Sequence, residues 1–115
     1  MSSINRVFLS GRLGAKPESK TNRNGKPYAR FSVATNRWRK EGEAKIQETD
    51  WHFVQVYGYD AQACLERLDK GSQIFVEGEL HHFKREEDGK SRYYTTINAQ
   101  KVTFPALPLQ SATAS

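Results

Sequence analysis

A tryptophan surrounded by basic side chains is the feature of this sequence with the clearest chemical meaning. Trp38 follows Arg37 and precedes Arg39 and Lys40, in a polar stretch without the apolar alternation that would bury it. An indole ring can stack on a nucleic-acid base while neighbouring cations neutralise phosphates. The combination predicts a nucleic-acid binding site. The alternative is a tryptophan that folds back over the end of a barrel.

A second group of aromatic residues shares one parity in the segment that follows. Trp51, Phe53 and Tyr57 alternate with Val54 and Val56. Only one face of a barrel strand points into the core, so valines in the core would leave these aromatic side chains exposed. An exposed aromatic stripe is typical of a binding surface. In the reverse arrangement, Trp51 would be buried and the valines would contact another subunit.

The distribution of charge also indicates a polyanionic partner. The chain has 115 residues and a formal net charge of +5. Residues 1–45 hold eleven Lys or Arg against three Glu, whereas residues 46–115 hold seven basic and ten acidic residues. A basic half of this kind favours nucleic acid or an anionic membrane surface as the partner.

Composition excludes several other classes of protein. No segment approaches the roughly 20 apolar residues of a membrane-spanning helix, and the N-terminus lacks the apolar core of a signal peptide. Cys64 is the single cysteine, which rules out an internal disulfide framework and favours a cytoplasmic protein.

No pattern in the sequence predicts catalysis, a metal or a cofactor. His52, His81 and His82 lack metal-ligand spacing, and adjacent strand residues such as the last two point to opposite faces. Gly89-Lys90-Ser91 resembles the end of a phosphate-binding loop, but Lys84 occupies the position where that loop needs glycine, so a hairpin turn explains it better. No recognisable Ser/His/Asp set is present. We therefore expect a protein that is not an enzyme.

Period-two alternation predicts three strands in the first half of the chain. The first spans Asn5–Leu13, and the second contains residues 29–35 after an Asn24-Gly25 turn. The polar segment Asn36–Gln47 is expected to be a mobile loop or hairpin tip. The third strand spans Thr49–Tyr57.

One short helix and two further strands follow. Asp60 is predicted to cap the N-terminus of the helix, and Gly71 to close its C-terminal end. The fourth strand spans Ser72–Lys84, with Gly78 indicating a bulge or sharp bend. After an Asp88-Gly89 turn, the fifth strand spans Tyr93–Phe104.

Three strands, one helix and two strands fit a five-stranded OB-fold barrel, an all-β architecture with one short helix. The alternative is another small β-barrel with a single helix. We expect residues 1–104 to form this domain. Residues 105–115 have no charge and no periodicity, which predicts a short flexible tail.

Several segments, taken together, resemble bacterial single-stranded DNA-binding proteins. The resemblance covers roughly residues 4–104, in order and with the family's spacing. The segments that carry it are Asn5-Arg6-Val7-Phe8-Leu9-Ser10-Gly11-Arg12-Leu13, Lys16-Pro17-Glu18, Phe31-Ser32-Val33-Ala34-Thr35-Asn36, Thr49-Asp50-Trp51-His52, Tyr57-Gly58, Lys70-Gly71-Ser72, Val76-Glu77-Gly78-Glu79-Leu80 and Arg92-Tyr93-Tyr94-Thr95-Thr96.

The resemblance implies an OB-fold that wraps single-stranded DNA without reading its sequence, usually as a homotetramer that serves replication, recombination and repair on the nucleoid. Family stacking positions fall on Trp38, Trp51 and Tyr57, and His52 matches a position associated with subunit assembly. Family basic positions fall on Arg39, Lys70, Lys84 and Arg92.

The sequence departs from the family in two places. Where the family often has a further tryptophan, this chain has Arg85, so that Phe83 or the Arg85 guanidinium would take its place. The family's glycine- and glutamine-rich linker and acidic tip are not found in Pro105–Ser115. We therefore expect a short plasmid-, phage- or element-encoded type, or one whose recruitment of replication proteins is lost or done elsewhere.

These observations lead to a set of expected contacts. Stacking is expected on Trp38, Trp51, Tyr57 and Phe83, and phosphate contacts are expected from Arg6, Arg37, Arg39, Lys40, Lys70, Lys84, Arg85 and Arg92. Two alternatives stay open: a dimeric scaffold that resembles the primosomal replication protein, and a small RNA-binding OB module.

Overall fold

The computed structural model of the protein describes residues 2–105, with seven elements. In chain order they are β1 (Val7–Leu13), β2 (Glu18–Thr21), β3 (Pro27–Glu41), β4 (Ala44–Tyr57), α1 (Tyr59–Arg67), β5 (Gln73–Glu87) and β6 (Lys90–Thr103). The predicted tail, apart from Pro105, lies outside the described residues. None of the described helices is long and apolar enough to cross a membrane.

Five of the strands form a closed barrel in the order β1-β5-β6-β4-β3, and β1 pairs with β3 to close it. The β4–β6 pair is parallel, and the other pairs are antiparallel. The predicted five-stranded barrel with one helix is confirmed. Strand β2, which has four residues and lies at the edge of β3, was not predicted, because all its side chains are exposed and it has no apolar alternation.

The barrel interior is filled by the apolar side chains of one parity from each strand. In β4, Val54 and Val56 are buried, while Trp51, Phe53 and Tyr57 are exposed. The predicted facing of this strand is therefore correct, and the reverse arrangement is wrong. The buried apolar residues are Leu13, Ala29, Phe31, Val33, Val54, Val56, Ala61, Cys64, Leu68, Ile74, Val76 and Ile97.

Two glycines allow the backbones to approach at the corners of the barrel. The β5–β6 register shifts between Glu77 and Gly78, which confirms the predicted bulge. A Cβ on Gly78 would lie 2.9 Å from the carbonyl carbon of Asn98 and closer still to its oxygen. A Cβ on Gly11 would similarly collide with the carbonyl oxygen of Ala34, where β1 closes onto β3.

Two long hairpins extend beyond the barrel. The β3–β4 pairing continues to Glu41 and Ala44, so Asn36–Gln47 is a hairpin arm with a tight turn and not a loop. The β5–β6 pairing continues likewise to Glu87 and Lys90, beyond the predicted strand ends. Because β4 and β6 are parallel and each enters the barrel from its arm, both arms project from the same end of the barrel.

The helix lies at the opposite end and packs against β3 and β4. It begins at Tyr59 with Gly58 as N-cap, so Asp60 lies in the first turn and the predicted cap is wrong. It ends at Arg67 with Leu68 as C-cap, so Gly71 does not close it. Gly71 instead forms a turn at positive φ and donates its N–H to the carbonyl of Leu13 at 2.8 Å.

Candidate nucleic-acid interface

The outward side chains of β3 and β4 form a continuous surface, here called the aromatic face. Antiparallel register places residues of even number in β3 beside residues of odd number in β4: Trp38 opposite Gln47, and Ala34 opposite Trp51. Trp38 is 65% exposed and Trp51 53% exposed, so Trp38 does not fold back over the barrel. The aromatic residues of this face are Tyr28, Trp38, Trp51, Phe53 and Tyr57.

Small neighbours fix the position of the Trp51 ring. Ala34 is the cross-strand partner of Trp51. The six-membered ring of the indole lies against Gly14, which has no side chain to occupy that space. Small residues at both positions let the indole lie on the sheet, with part of the ring exposed to solvent.

The end of the aromatic face nearest the helix carries a tyrosine pair. The rings of Tyr28 and Tyr57 are 5.0 Å apart between centroids and are tilted by 31°. The Tyr57 hydroxyl accepts a hydrogen bond from the side chain of Asn22 at 3.4 Å. Tyr57 was expected to stack; Tyr28 was not identified from the sequence, although its parity would have aligned it with Trp38.

The aromatic face is positively charged. Lys40 and Lys45 are cross-strand partners on the arm, and Arg30 lies nearer the barrel. In β3 and β4, which are described throughout, no outward position is Asp or Glu. The arrangement combines flat aromatic surfaces with uncompensated cations, as expected of a surface that binds single-stranded nucleic acid.

Arg37 and Arg39 lie on the reverse face of the same arm, because their parity is opposite to that of Trp38. Arg37 pairs with Glu48 at 2.7 Å and with Asp50 at 2.9 Å. Arg39 pairs with Glu41 at 2.7 Å and with Glu48 at 2.8 Å.

These ion pairs stabilise the charged form of both arginines on the reverse face. The hydrogen bond to Asp50 raises the pKa of Arg37 above its usual value, and the hydrogen bonds to Glu41 and Glu48 raise that of Arg39. Two guanidinium groups therefore face three carboxylates on this side of the arm. The structure does not bring Arg37 and Arg39 together with Trp38.

A second aromatic cluster lies on the outward face of the β5–β6 hairpin. The Phe83 ring stacks on Tyr94 at 5.5 Å and on His81 at 6.2 Å between centroids. The Arg85 guanidinium lies 5.9 Å from the Phe83 centroid and 5.8 Å from that of Tyr94. Phe83 is only partly exposed, whereas Arg85 beside it is exposed and presents its flat guanidinium group to solvent.

Glu87 organises the tip of this hairpin. It accepts a hydrogen bond from the Tyr94 hydroxyl at 2.8 Å and pairs with Arg92 at 3.3 Å. The hydrogen bond to Glu87 raises the pKa of Tyr94. Arg92 shares the outward face with Arg85, its cross-strand partner, whereas Lys84 has the opposite parity. Tyr94 was not among the residues expected to bind.

Two further residues that were expected to contact phosphate lie away from both the aromatic face and the aromatic cluster of the β5–β6 hairpin. Arg6 precedes β1, hydrogen bonds to Gln100 and pairs with Glu77 at 3.8 Å. Lys70 lies in the exposed turn between α1 and β5.

His52 lies on the reverse side of β4 from Trp51, as its parity predicts. It is half-buried, and its Nε2 lies 2.8 Å from the hydroxyl of Thr35. His82 is 2.7 Å from the hydroxyl of Thr95, while His81 stacks on Phe83. Among residues 2–105, no group of three or more His, Cys, Asp or Glu side chains is arranged to hold a metal ion.

Comparison with known proteins identifies related chains. Residues 4–105 match the model of the Single-strand binding protein family. The chain is 42% identical over 101 residues to a single-stranded DNA-binding protein of Xanthomonas campestris pv. campestris, covering 86% of this chain and 59% of that one. It is 37% identical over 102 residues to a Treponema pallidum protein of the same name, covering 89% and 58%.

A solved structure shares the fold. The Plasmodium falciparum SSB in complex with ssDNA has a TM-score of 0.82 and 28% sequence identity, over 92% of this chain and 98% of that one. The present chain spans a little under three fifths of the length of the two bacterial relatives.

Proposed function

The chain belongs to the single-strand binding protein family, and we propose that it binds single-stranded DNA through the aromatic face, without catalysis. The observation that carries the proposal is the presence of exposed Trp38 and Trp51 on one face of β3 and β4 that bears no carboxylate. A structural neighbour, the Plasmodium falciparum SSB, is described in complex with ssDNA, which supports the same function here.

Binding would combine two physical effects. Bases stack on Trp38, Trp51 and Tyr57, each worth about 1–3 kcal/mol by alanine replacement. Cationic side chains such as Lys40 neutralise phosphates and release counterions, so affinity falls as salt concentration rises. Neither effect depends on the identity of a base, because every base has a π-face. The proposed binding is therefore independent of sequence.

Stacking also explains why a single strand would be preferred to a duplex. The faces of bases in a duplex are covered by their neighbours, so an indole could reach them only after the bases unstack and unpair. Trp38 and Trp51 lie on an open, extended ribbon along which an unpaired strand can be laid. We expect the DNA to follow this ribbon past both tryptophans.

The β5–β6 hairpin is proposed as a second contact surface. It projects from the same end of the barrel as the β3–β4 arm, so one strand of DNA could contact both. Arg85 would stack through its guanidinium plane, supported from below by Phe83 and Tyr94. Arg92 would contact the backbone as the strand passes. Lys84, on the reverse face of the hairpin, and Lys70 and Arg6 would meet the DNA only if it wraps around the barrel.

We further propose that the protein assembles with copies of itself, as a homotetramer. Strand β1 pairs with β5 over Val7–Arg12 but with β3 only at Arg12 and Leu13. Within the described residues, the rest of one β1 edge thus has no partner strand, and an unpaired edge favours pairing with another chain. Exposed Phe8 and Phe75, with ring centroids 6.4 Å apart, offer apolar surface for the same contact.

With this function, we expect the protein to act in replication, recombination and repair, in the cytoplasm and on the nucleoid. Domain 1–104 would be sufficient for DNA binding. A dimeric mass in solution would instead favour a scaffold that resembles the primosomal replication protein.

Competition between nucleic acids tests the proposed function. A labelled single-stranded oligothymidylate is bound to the protein and then displaced by unlabelled DNA single strand, by the corresponding duplex, or by an RNA of the same sequence. We expect the DNA single strand to compete best by a large factor. Equal competition by the duplex would contradict the proposal, and better competition by RNA would favour an RNA-binding module.

A further inference from the structure

We propose that Arg30, and not Arg37 or Arg39, is the arginine of β3 that contacts phosphate on the strand bound to the aromatic face. The inference rests on the proposed function. It assigns a phosphate contact to Arg30, which lies outside the basic segment Arg37-Trp38-Arg39-Lys40. It reverses the expectation from the sequence, in which the arginines beside Trp38 are the natural candidates.

Arg30 has the position that such a contact requires. It points outward from β3 opposite Gln55, on the same face as Trp51 and Trp38. Its guanidinium carbon lies 5.7 Å from the centroid of the exposed Phe53 ring. Among residues 2–105, no carboxylate forms an ion pair with Arg30 within 4.0 Å.

The Phe53 ring prepares the guanidinium for binding. A guanidinium group held over an aromatic ring is oriented while its N–H donors stay available at the edge of its plane. That edge matches the geometry of a phosphate, which can accept two parallel hydrogen bonds. Phe53 in β4 thereby positions Arg30 between the tryptophans and the tyrosine pair.

One acidic residue lies near Arg30 but forms no ion pair with it among the described residues. Glu18 in β2 is the cross-strand partner of Arg30, but the Glu18 carboxylate pairs with Lys20 at 3.9 Å. Because Glu18 belongs to the exposed edge strand, it is on the border of the face and not among its stacking residues. Within residues 2–105, the cations of the aromatic face that form no ion pair are thus Arg30, Lys40 and Lys45.

Arg37 and Arg39 lack this freedom. Both point to the reverse side of the arm, and their guanidinium groups already donate to Glu41, Glu48 and Asp50. A phosphate contact would require them to leave these carboxylates unpaired and to reach around the ribbon. We infer that they stabilise the flat arm on which Trp38 is carried.

The test compares two single variants of the same residue type in the same strand. Arg30→Gln removes a charge from the aromatic face, and Arg39→Gln removes one from the reverse face. Binding of oligothymidylate is followed by tryptophan fluorescence at several salt concentrations, using the full chain. Loss of one phosphate contact lowers the slope of log K against log salt by about 0.7 for a single strand.

We expect Arg30→Gln to reduce the slope by about this amount and Arg39→Gln to leave it unchanged. Arg30→Lys, which keeps the charge but loses the planar group, should keep the wild-type slope and bind more weakly at fixed salt. An unchanged slope in Arg30→Gln would overturn the inference, as would an equal reduction in Arg39→Gln. If the wild-type protein bound no oligothymidylate, the proposed function itself would fail, a result that is separate from these.

Discussion

The indole of Trp51 lies directly against Gly14, at the point where the chain leaves β1. A Cβ added to Gly14 would lie 2.8 Å from Cη2 of the ring and closer still to Cζ3, with the hydroxyl of Ser32 at 3.1 Å. Gly14 is thus needed for space, since its backbone does not adopt positive φ. Gly14 therefore determines how deeply the Trp51 ring lies on the sheet.

Gly14→Ala should therefore weaken binding without unfolding the protein. The colliding atoms are at the far end of a side chain, so the ring can move and the backbone need not. We expect an altered Trp51 emission in the absence of DNA, and an affinity for oligothymidylate reduced by up to the value of one stacking contact, about 1–3 kcal/mol.

Gly11→Ala is the matched control. Its Cβ would meet the carbonyl oxygen of Ala34, where the backbones of β1 and β3 must separate to accommodate it. Overpacking of this kind costs about 1–3 kcal/mol of the free energy of unfolding. Wild-type emission and affinity in Gly14→Ala would show that the ring is not positioned by Gly14.

The single thiol offers a prediction about stability. Cys64 is fully buried on the helix, and desolvation, with a contribution from Asp60, raises the pKa of its thiol to about 11. We expect native protein to resist alkylation at neutral pH and to react once unfolded. The folded-state pKa lies above the unfolded value of about 8.5. The neutral thiol therefore makes its full contribution to the free energy of unfolding below about pH 8.5. This contribution is lost as pH rises toward 11.

Cys64→Ala distinguishes this effect from general alkaline unfolding. Between the two pKa values, the free energy of unfolding of the variant should fall less with rising pH than that of the wild type. Rapid alkylation of native wild-type protein at neutral pH would contradict the burial of Cys64.

Replacement of His52 tests the proposed assembly. His52→Ala should shift the population toward species smaller than the tetramer, because the imidazole is expected to contact another subunit. Sedimentation velocity at several protein concentrations measures the change. Thr35→Val removes the hydrogen bond that His52 makes within the chain but leaves the ring in place.

The two variants should differ if the contact between subunits is direct. We expect Thr35→Val to stay close to the wild-type mass while His52→Ala dissociates. An unchanged sedimentation profile in His52→Ala would remove this residue from the interface.

Alternation in the sequence was sufficient to predict which way β4 faces. Val54 and Val56 are apolar residues of one parity and fill the barrel core. Trp51 and Tyr57 have the opposite parity and are therefore predicted to face outward. Asn36–Gln47 carries no such signal, because a two-stranded arm without a buried face lacks apolar alternation. Treated as a strand, its parity would have separated Arg37 and Arg39 from Trp38.

Other features depend on contacts between distant parts of the chain. The parallel pairing of Val54 with Ile97, which makes both arms project from one end, cannot be obtained from local patterns. The contact between Gly14 and Trp51 joins residues that are far apart in sequence, and nothing in the composition around Gly14 signals it. The edge strand β2 was missed for a different reason, since it buries none of its side chains.

The most direct test of the central claim uses the two tryptophans as separate reporters. Trp38→Phe leaves Trp51 as the sole indole, and Trp51→Phe leaves Trp38. Each variant is titrated with oligothymidylate at low salt while its emission is recorded, with the duplex as control. We predict that saturating single-stranded DNA quenches both reporters and that duplex at the same concentration quenches neither. Binding that leaves the emission of either indole unchanged would contradict a single aromatic face that carries both.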